Sequence, residues 1–345
     1  MLTVKQLDPA DQACAKRWDS FVLSCPQATF FHRAGWQSLI RRVFRHKTHF
    51  LFAEENGEIQ GVLPLAHVNS LLFGNALVAL PFAVYGGVAA SNETAAAMLE
   101  QRAQEIAAQL KVDHLEFRNV QPRHPDWPTQ DLYVTFRKEI FADEEANMLA
   151  IPRKQRAMVR KGIKNGLLSC IDSDVDRFFA LYADNVHRHG TPAMPKRYFS
   201  ELMSEFGQDC EVLTVTSADG RLLSSVMSFY FRDEVLPYYA GDDESARELA
   251  ANDFKYWELT RRSCARGLKV FDYGRSKRGT GSFAFKKNWG FVPTPLHYEY
   301  RLYKGDAIPQ NNPSNAKYKM MIAAWRRMPI RLANWLGPFV VRNLG

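Results

Sequence analysis

The chain has 345 residues, of which 46% are hydrophobic and 12% aromatic, so it is long enough for two domains and is not disordered or fibrous. Its five cysteines are scattered and include no C-x-x-C pair. That pattern argues against a disulfide framework or a zinc site and favours a reducing compartment. Since the N-terminus also lacks the apolar core of a signal peptide, we expect a cytoplasmic protein.

Positive charge is concentrated in two segments of the chain. The net charge is +8, yet no acidic residue follows Asp306, whereas six basic residues do. Residues 146–171 also lack acids and hold six further basic residues, and the remainder of the chain carries a net charge of −4. Because the basic character is local, it predicts a specific anionic partner.

A stretch without Asp, Glu, Lys or Arg runs from Ile59 to Asn92 and is long enough to cross a membrane. Turn-forming residues, Gly74, Pro81 and Gly86, interrupt it every few positions. This spacing is typical of buried strands joined by turns, and we expect strands here and not a membrane helix.

The elements predicted in chain order occur twice. Each set has helical segments, a hairpin, a strand with proline and aromatics, a helix and a short strand. In the first set these are a helix at 36–44, a hairpin at Asn56-Gly57, a strand at 80–87, a helix capped by Asn92 and a strand at 111–119. In the second they are helices within 175–207, a hairpin at Asp219-Gly220, a strand at 236–242, a helix from Asn252 to Gly267 and a strand at 269–276.

This duplication predicts two mixed α/β (α+β) domains of one type. We expect domain 1 at residues 1–140, a basic connector at 141–166, domain 2 at 167–305 and a basic amphipathic tail at 306–345.

The connector predicts one basic helix that begins after Pro152 and ends at Gly166. Its cations recur three or four residues apart and therefore share a face. They form either a solvated face or a clamp for a phosphate-bearing substrate. The substrate-binding candidates are Arg153, Lys154, Arg156 and Arg160.

The segment from Gly274 to Thr280 comes close to the phosphate-binding pattern G-x-x-x-x-G-K-[ST]. Thr280 occupies the position of the essential lysine, so a phosphate cradle of that kind is not expected.

The repeated order of elements resembles the GNAT acyltransferase fold, and a tandem pair resembles the Fem family. Within the second half, YYAGDDESARELAANDFKYWELTRRSCARGLKVFDYGRSKRGTGSFAFKKNWGF and IPRKQRAMVRKGIKNGL are similar to FemAB-type proteins associated with exosortase/PEP-CTERM exopolysaccharide systems. The resemblance covers the chain to about residue 305. It implies an acyltransferase or aminoacyltransferase with aminoacyl-tRNA or acyl-CoA as co-substrate, no tightly bound cofactor and no metal.

Two features of this sequence differ from the pattern of the GNAT and Fem families. Acetyl-CoA-dependent GNAT domains carry a [QR]-x-x-G-x-[GA] loop that binds pyrophosphate at a helix N-terminus. This chain has GDDESARELAAN there, and its acidic residues would repel a phosphate. The chain also lacks the coiled-coil arm of some Fem members, which leaves tRNA contact to its basic surfaces.

Acyl transfer requires a deprotonated amine and a polarised carbonyl. We expect Asp272 and Tyr239 to act as catalytic residues at neighbouring strand ends, with Tyr238 on the opposite face. Arg275 and Ser276 are expected to bind substrate. The alternatives are that Asp272 only pairs with Arg275 or a backbone amide, and that Tyr239 only packs in the core.

In the segment FAFKKNWGF, aromatic residues frame two lysines. We expect Lys286 to act in catalysis and Lys287 to bind substrate, the alternative being a solvated pair on a short helix.

Aromatic residues in domain 1 align with the part of Fem proteins that helps to receive the peptide-bearing acceptor. The candidates Phe31, Trp36 and Tyr85 would stack on sugar or peptide, or else pack in the core. Glu116 and Arg118 occupy the repeat positions of Asp272 and Arg275.

The tail mixes tryptophans with arginines, which suits either contact with anionic lipid or packing on domain 2. Pro329 and Pro338 limit it to short helices. Peripheral contact with the inner face of the cytoplasmic membrane would fit a lipid-linked acceptor.

The leading hypothesis is a Fem-type transferase that moves an aminoacyl or acyl group onto an amine or hydroxyl of a peptidoglycan or exopolysaccharide precursor. An acyl-CoA-dependent N-acyltransferase is the enzymatic alternative. A non-catalytic glycan- or nucleic-acid-binding protein on the duplicated fold is the other.

Overall fold

The computed structural model describes residues 1–70, 74–308 and 316–343. Elements of the first part of the chain are β1 (Thr3–Gln6), α1 (Gln12–Ser24), α2 (Gly35–Leu39), β2 (Lys47–Glu55), β3 (Glu58–Ser70), β4 (Gly74–Val78), β5 (Ala89–Ala90), α3 (Glu93–Gln109), β6 (His114–Asn119) and β7 (Thr129–Gln130). A π-helical turn, Ile40–Phe44, continues α2.

The elements that follow are β8 (Tyr133–Glu139), α4 (Glu144–Ala150), α5 (Arg153–Lys164), β9 (Leu168–Asp172), α6 (Asp176–Arg188), α7 (Lys196–Phe206), β10 (Cys210–Thr216), β11 (Leu222–Phe231), β12 (Glu234–Asp242), α8 (Ala246–Leu249), α9 (Ala251–Ala265), β13 (Val270–Asp272), β14 (Ser276–Lys277), α10 (Gly281–Asn288), β15 (Val292–Pro295), β16 (His297–Leu302), α11 (Ala316–Arg327) and α12 (Ile330–Val341).

These elements form two compact units. Unit 1 comprises residues 1–131 and, among the later described residues, 295–308 and 342–343. Unit 2 comprises residues 132–294 and 316–341. The expected domain boundaries at 140 and 305 differ from this division, because the strands β8 and β16 each join the sheet of the other half of the sequence.

Both units contain a mixed sheet with the same order of strands, as the duplication predicts. The order is β1-β2-β3-β4-β6-β16-β7 in unit 1 and β9-β10-β11-β12-β13-β8-β14 in unit 2. In each sheet the fourth and fifth strands are parallel, β4 with β6 and β12 with β13. The sixth strand is antiparallel to the fifth and is the exchanged one, β16 or β8.

The predicted hairpins both form, with different turns. Asn56 and Gly57 have φ of 50° and 84°, as a type I′ turn requires. At the second hairpin Gly220 has positive φ and Asp219 does not, so this turn is not of type I′. Ser217 accepts from Gly220 and pairs with Arg221, which makes a longer loop.

Local signals predicted most, but not all, helix ends. Asn92 caps α3 by accepting from the amide of Ala95 at 2.9 Å, and Gly267 ends α9 with φ of 73°. Asn252 does not cap α9, because it lies inside the helix and Ala250 precedes it in a left-handed conformation.

The long stretch without charged residues forms strands of unit 1, as expected. Within 59–70 and 74–92 it supplies β3, β4 and β5, while residues 71–73 lie outside the described part. No helix in the described ranges combines the length and apolarity needed to cross a bilayer. The expected strand at 80–87 is wrong, since these residues form turns.

Candidate functional site

The parallel strands β12 and β13 separate shortly after they meet. They pair only at Glu234↔Val270 and Val235↔Phe271, whereas β12 continues to Asp242. After Asp272 the chain instead follows β8, where the amide of Tyr273 donates to Phe136 at 2.8 Å. We call the resulting opening, between residues 236–242 and 272–276, the strand fork.

A bulge in β12 shapes one side of the fork. The partner strand pairs with Pro237 and then with Tyr239, so Tyr238 is the extra residue. The rings of Tyr238 and Tyr239 lie 4.8 Å apart, and Tyr238 lies 5.4 Å from Phe229, which also contacts Phe206 of α7. The expectation that Tyr238 lies on the opposite face is therefore wrong, because the bulge breaks the alternation of side chains.

Tyr239 faces an aromatic cluster formed by α6 and α7. Its hydroxyl lies 3.0 Å from that of Tyr198, and its ring lies 5.2 Å from Phe199 and 6.2 Å from Tyr182. Burial raises the pKa of Tyr239 well above its ordinary value, so the hydroxyl stays protonated. It can therefore donate a hydrogen bond to a ligand but does not suit the role of a base.

Asp272 holds the other side of the fork and is fully buried. Its carboxylate accepts from Arg137 at 2.6 Å and from the amide of Gly274 at 2.7 Å, with Thr135 at 3.4 Å. These hydrogen bonds fix the turn that follows Asp272. The ion pair of Asp272 is formed with Arg137 of β8, and the backbone amide that sequence reasoning considered as a partner is that of Gly274.

Lys286 holds the same turn from α10. Its ammonium donates to the carbonyls of Tyr273, Gly274 and Arg275 at 2.7, 3.2 and 3.2 Å. Burial lowers the pKa of Lys286 to about 7, with Asp272 opposing and Arg275 reinforcing the shift. The three carbonyls favour the charged form, and they direct the amine into the turn. Asp272 and Lys286 therefore position residues 273–276.

Two hydroxyl groups of that turn are buried without a hydrogen-bond partner. They are those of Tyr273 and Ser276, whose residues are 5% and 4% exposed. Buried polar atoms are almost always satisfied, so such groups mark places that water or a ligand completes. Between them, Arg275 is exposed and lies over the ring of Tyr133 at 4.6 Å.

The connector helix α5 packs on the start of α9. The side-chain amide of Gln155 donates to Asp253 at 3.3 Å, and a Cβ on Gly162 would lie 2.8 Å from Phe254. Asn165 donates to the carbonyl of Leu249 just before α9. The first turn of α9 is therefore covered by α5.

The outward side of α5 is basic. Arg153, Lys154 and Arg160 are exposed and Arg156 is partly exposed. In the part of the chain that the structure describes, these four form no ion pair, whereas arginines such as Arg137, Arg177 and Arg266 do. They leave a row of cations available to an anion.

The remaining predicted residues have different environments. Lys287 is exposed on α10, 5.8 Å from the ring of Phe283. Phe31, Trp36 and Tyr85 belong to the core of unit 1 and are at most 2% exposed. Their rings pack on one another, Phe31 lying 5.6 Å from Trp36 and 6.1 Å from Tyr85, so the core-packing alternative describes their contacts.

Unit 1 closes the position that corresponds to the fork. After β4 the chain turns back through residues 79–87, and Gly86 forms an antiparallel bridge with Arg118. The Arg118 guanidinium donates to Glu116 and to the carbonyl of Ala83, both at 2.7 Å. A Cβ on Gly86 would lie 2.2 Å from the carbonyl oxygen of Ala79, so only glycine permits this approach.

Comparison with known proteins identifies the class. Residues 153–287 match the family model described as "Acetyltransferase (GNAT) domain". The match covers less than half of the chain, and residues 153–287 are similar to an acyltransferase domain of the GNAT type.

Two solved structures and one characterised enzyme are similar. FemX matches with a TM-score of 0.65 at 14% identity, covering 86% of this chain and 97% of that one. L-PGS from Bacillus licheniformis matches with a TM-score of 0.58 at 12% identity, covering 93% and 97%. Both likenesses establish the tandem fold.

The enzyme is the UDP-N-acetylmuramoylpentapeptide-lysine N(6)-alanyltransferase of Weissella viridescens, which is 24% identical over 104 residues. The aligned part covers 29% of this chain and 31% of that relative's length.

Sequence reasoning missed Arg137 and Tyr198, which contact Asp272 and Tyr239. Residues 133–139 alternate so that Thr135 and Arg137 share a face, a signal that was present in the sequence. To use this signal one would have to know that β8 joins the sheet of unit 2. Tyr198 lies on α7 with its ring buried, and nothing local distinguishes it from a core tyrosine.

Proposed function

We propose that this chain is a Fem-type transferase that moves an aminoacyl group, or another acyl group, onto an amine or hydroxyl of a cell-envelope precursor. Support comes from the GNAT domain at 153–287 and from the similarity to an alanyltransferase that acts on a muramoylpentapeptide. An exopolysaccharide acceptor, as the resemblance to PEP-CTERM-associated proteins implies, is part of the proposal.

The observation that carries the choice of donor is the contact of α5 with α9. Acetyl-CoA enzymes of this fold bind pyrophosphate at the start of the corresponding helix. Here α5 covers that turn, and Asp253 lies in it, held by Trp289 at 2.9 Å. A donor that binds along the exposed cations of α5 fits this arrangement better than acetyl-CoA bound at the start of α9. Aminoacyl-tRNA carries the row of phosphates that such binding requires.

Roles follow from the contacts in the fork. Asp272 and Lys286 act as positioning residues that fix the turn 273–276. Arg275, Ser276 and Lys287 would contact the donor, and the Tyr239 hydroxyl would donate to the reacting carbonyl or acceptor. Transfer to an amine by this arrangement rests on orientation and charge stabilisation, without a covalent enzyme intermediate.

The experiment supplies purified protein with charged tRNA or with acyl-CoA, together with envelope precursors, and measures the intact mass of the acceptor. We expect a mass increase of one aminoacyl residue with charged tRNA. An increase with acyl-CoA alone would identify the alternative donor, and no increase with either would contradict both enzymatic proposals.

The basic helix provides the sharper test of the donor. Arg153, Arg156 and Arg160 replaced by glutamine should raise the KM for tRNA at least about tenfold and reduce its salt dependence by a slope of about 2 to 3. The matched control replaces the exposed Lys16, Lys47 and Lys111 of unit 1 by glutamine and should change KM less than about twofold. Equal effects of the two triple variants would show that only net charge matters.

A further inference from the structure

The two C-terminal helices expose apolar and arginine side chains. We propose that the surface they form docks on an anionic lipid bilayer. Its described members, called the tail face, are Met320, Met321, Arg327, Arg331, Leu332, Trp335 and Phe339.

The inner side of these helices is anchored in unit 2. Ala333, Gly337 and Val341 recur every four residues along α12 and are buried. A Cβ on Gly337 would lie 2.9 Å from the carbonyl oxygen of Ala193, so α12 packs closely against the backbone at Ala193. Arg326 of α11 donates to the carbonyl of His189 at 3.2 Å. Since the inner side is fixed, the tail face is held outward.

The apolar side chains of the tail face are unusually exposed for their size. Trp335 is 65% exposed, Phe339 58% and Met320 71%, and the two rings lie 6.0 Å apart. Monomeric proteins rarely expose such groups together, and a contiguous patch marks an interaction surface. Trp and Phe beside aliphatic side chains suit the boundary between lipid head groups and acyl chains.

The charge of the surface selects the partner. Arg327 and Arg331 are exposed next to the apolar groups, and residues 316–343 contain no Asp or Glu. Anionic head groups complement such a face, whereas a second copy of the chain would bring arginine against arginine. The described helices have 12 residues each, too short to span a bilayer, so they would lie in the interface.

Docking there would bring the side of the fork that holds Tyr239 close to lipid. Both α11 and α12 contact α6, and α6 also packs on β12, where Tyr182 lies beside Tyr239. This consequence, unlike the docking itself, rests on the proposed function. A lipid-linked acceptor would then reach the fork without leaving the membrane surface.

The test is co-sedimentation of the full-length protein with vesicles of phosphatidylcholine alone or containing phosphatidylglycerol. We expect binding only to the anionic vesicles. The variant W335A/F339A should lower the partition coefficient at least about tenfold, since each aromatic ring loses its apolar contact. R327Q/R331Q should lower it by a similar order and make it insensitive to salt.

The matched control, L149A/L168A, removes two side chains that are 56% and 57% exposed elsewhere in unit 2, and should bind as wild type does. Thermal melting confirms that each variant folds. No binding to anionic vesicles, equal binding to both kinds, or a dimer that W335A/F339A dissociates would overturn the proposal. Vesicle binding needs no donor or acceptor, so its outcome is independent of the transfer reaction.

Discussion

Units 1 and 2 arrange their strands alike but treat the end of the central parallel pair differently. In unit 1 the chain turns back after β4, and Arg118 fastens this turn through the carbonyl of Ala83. In unit 2 β12 runs on through a bulge at Tyr238, and β13 leaves it after two paired residues. The same architecture thus forms a closed core in one unit and an open fork in the other.

From this difference we propose that unit 2 carries the chemistry. A reacting group needs hydrogen-bonding groups that are not yet used, and the turn 273–276 holds the buried, unpaired hydroxyls of Tyr273 and Ser276. The corresponding carboxylate of unit 1, Glu116, is bound to an arginine of its own strand two residues later. We infer that unit 1 keeps this pair for stability alone.

The largest expected effect comes from the two carboxylates that the sequence repeat assigns to equivalent positions. Asp272→Asn weakens the hold of Arg137 on the turn 273–276, and we expect kcat/KM for transfer to fall about a hundredfold. Glu116→Gln breaks the matched pair in unit 1 and should reduce kcat/KM less than about threefold.

Both substitutions should lower the free energy of unfolding, since Glu116→Gln leaves the buried Arg118 without its carboxylate and Asp272→Asn removes a buried charge that Arg137 binds. Urea unfolding measured beside the transfer assay separates the two consequences. Similar losses of activity in the two variants would contradict the assignment of the chemistry to unit 2.

The exchanged strands provide the second comparison. In unit 2, Arg137 of β8 binds Asp272 and Glu234. In unit 1, Glu299 of β16 accepts from Asn119 at 2.7 Å and contacts His124 at 2.8 Å. Arginine stays charged at any ordinary pH, whereas histidine loses its charge as pH rises. The contact between Glu299 and His124 in unit 1 is therefore the one of the two that weakens at high pH.

Although burial opposes the charge, hydrogen bonds with Glu100 and Glu299 raise the pKa of His124 to about 9. The stabilisation is therefore complete below about pH 6.5, the pKa of an unfolded histidine, and is lost as pH rises through about 9. It amounts to about 3 kcal/mol.

The measurement is the pH dependence of urea unfolding for wild type and His124→Gln. The excess stability of wild type should shrink between pH 6.5 and 9. The pKa of Lys286 is lowered to about 7, so its effect on the free energy of unfolding changes with pH in the opposite sense to that of His124. Because both proteins contain Lys286, this effect cancels in the difference between them. A constant difference across this window would show that His124 does not titrate as expected.

The sequence alone predicted much of the fold because its signals are local. Asn56-Gly57 and Gly267 fix φ within a turn, and the repeat of elements predicted both sheets. The exchange of β8 and β16 was not predictable, because strand pairing over more than a hundred residues leaves no mark on short segments. The closed end of unit 1 was missed for a similar reason, since residues 80–87 have the composition of a strand.

The prediction of the candidate site likewise depended on signals that are local in the sequence. Asp272, Arg275, Ser276 and Lys286 could be proposed because they lie within one stretch of chain, and hydrogen bonds of Asp272 and Lys286 hold the turn that contains Arg275 and Ser276. Arg137 was missed because it reaches that turn from the exchanged strand. The buried position of Lys286 depends on carbonyl groups that side-chain patterns do not reveal.

The smallest expected effect distinguishes two adjacent tyrosines of the bulge. Tyr239→Phe removes the hydroxyl that bonds Tyr198 and leaves the ring packed on α7. If this hydroxyl donates to the reacting group, kcat should fall about tenfold while KM changes little, because one hydrogen bond is lost from the transition state. Tyr238→Phe retains the bulge and should leave kcat within about twofold. An equal change in both variants would assign the effect to packing of the bulge, and an equal rise in KM would place Tyr239 in substrate binding.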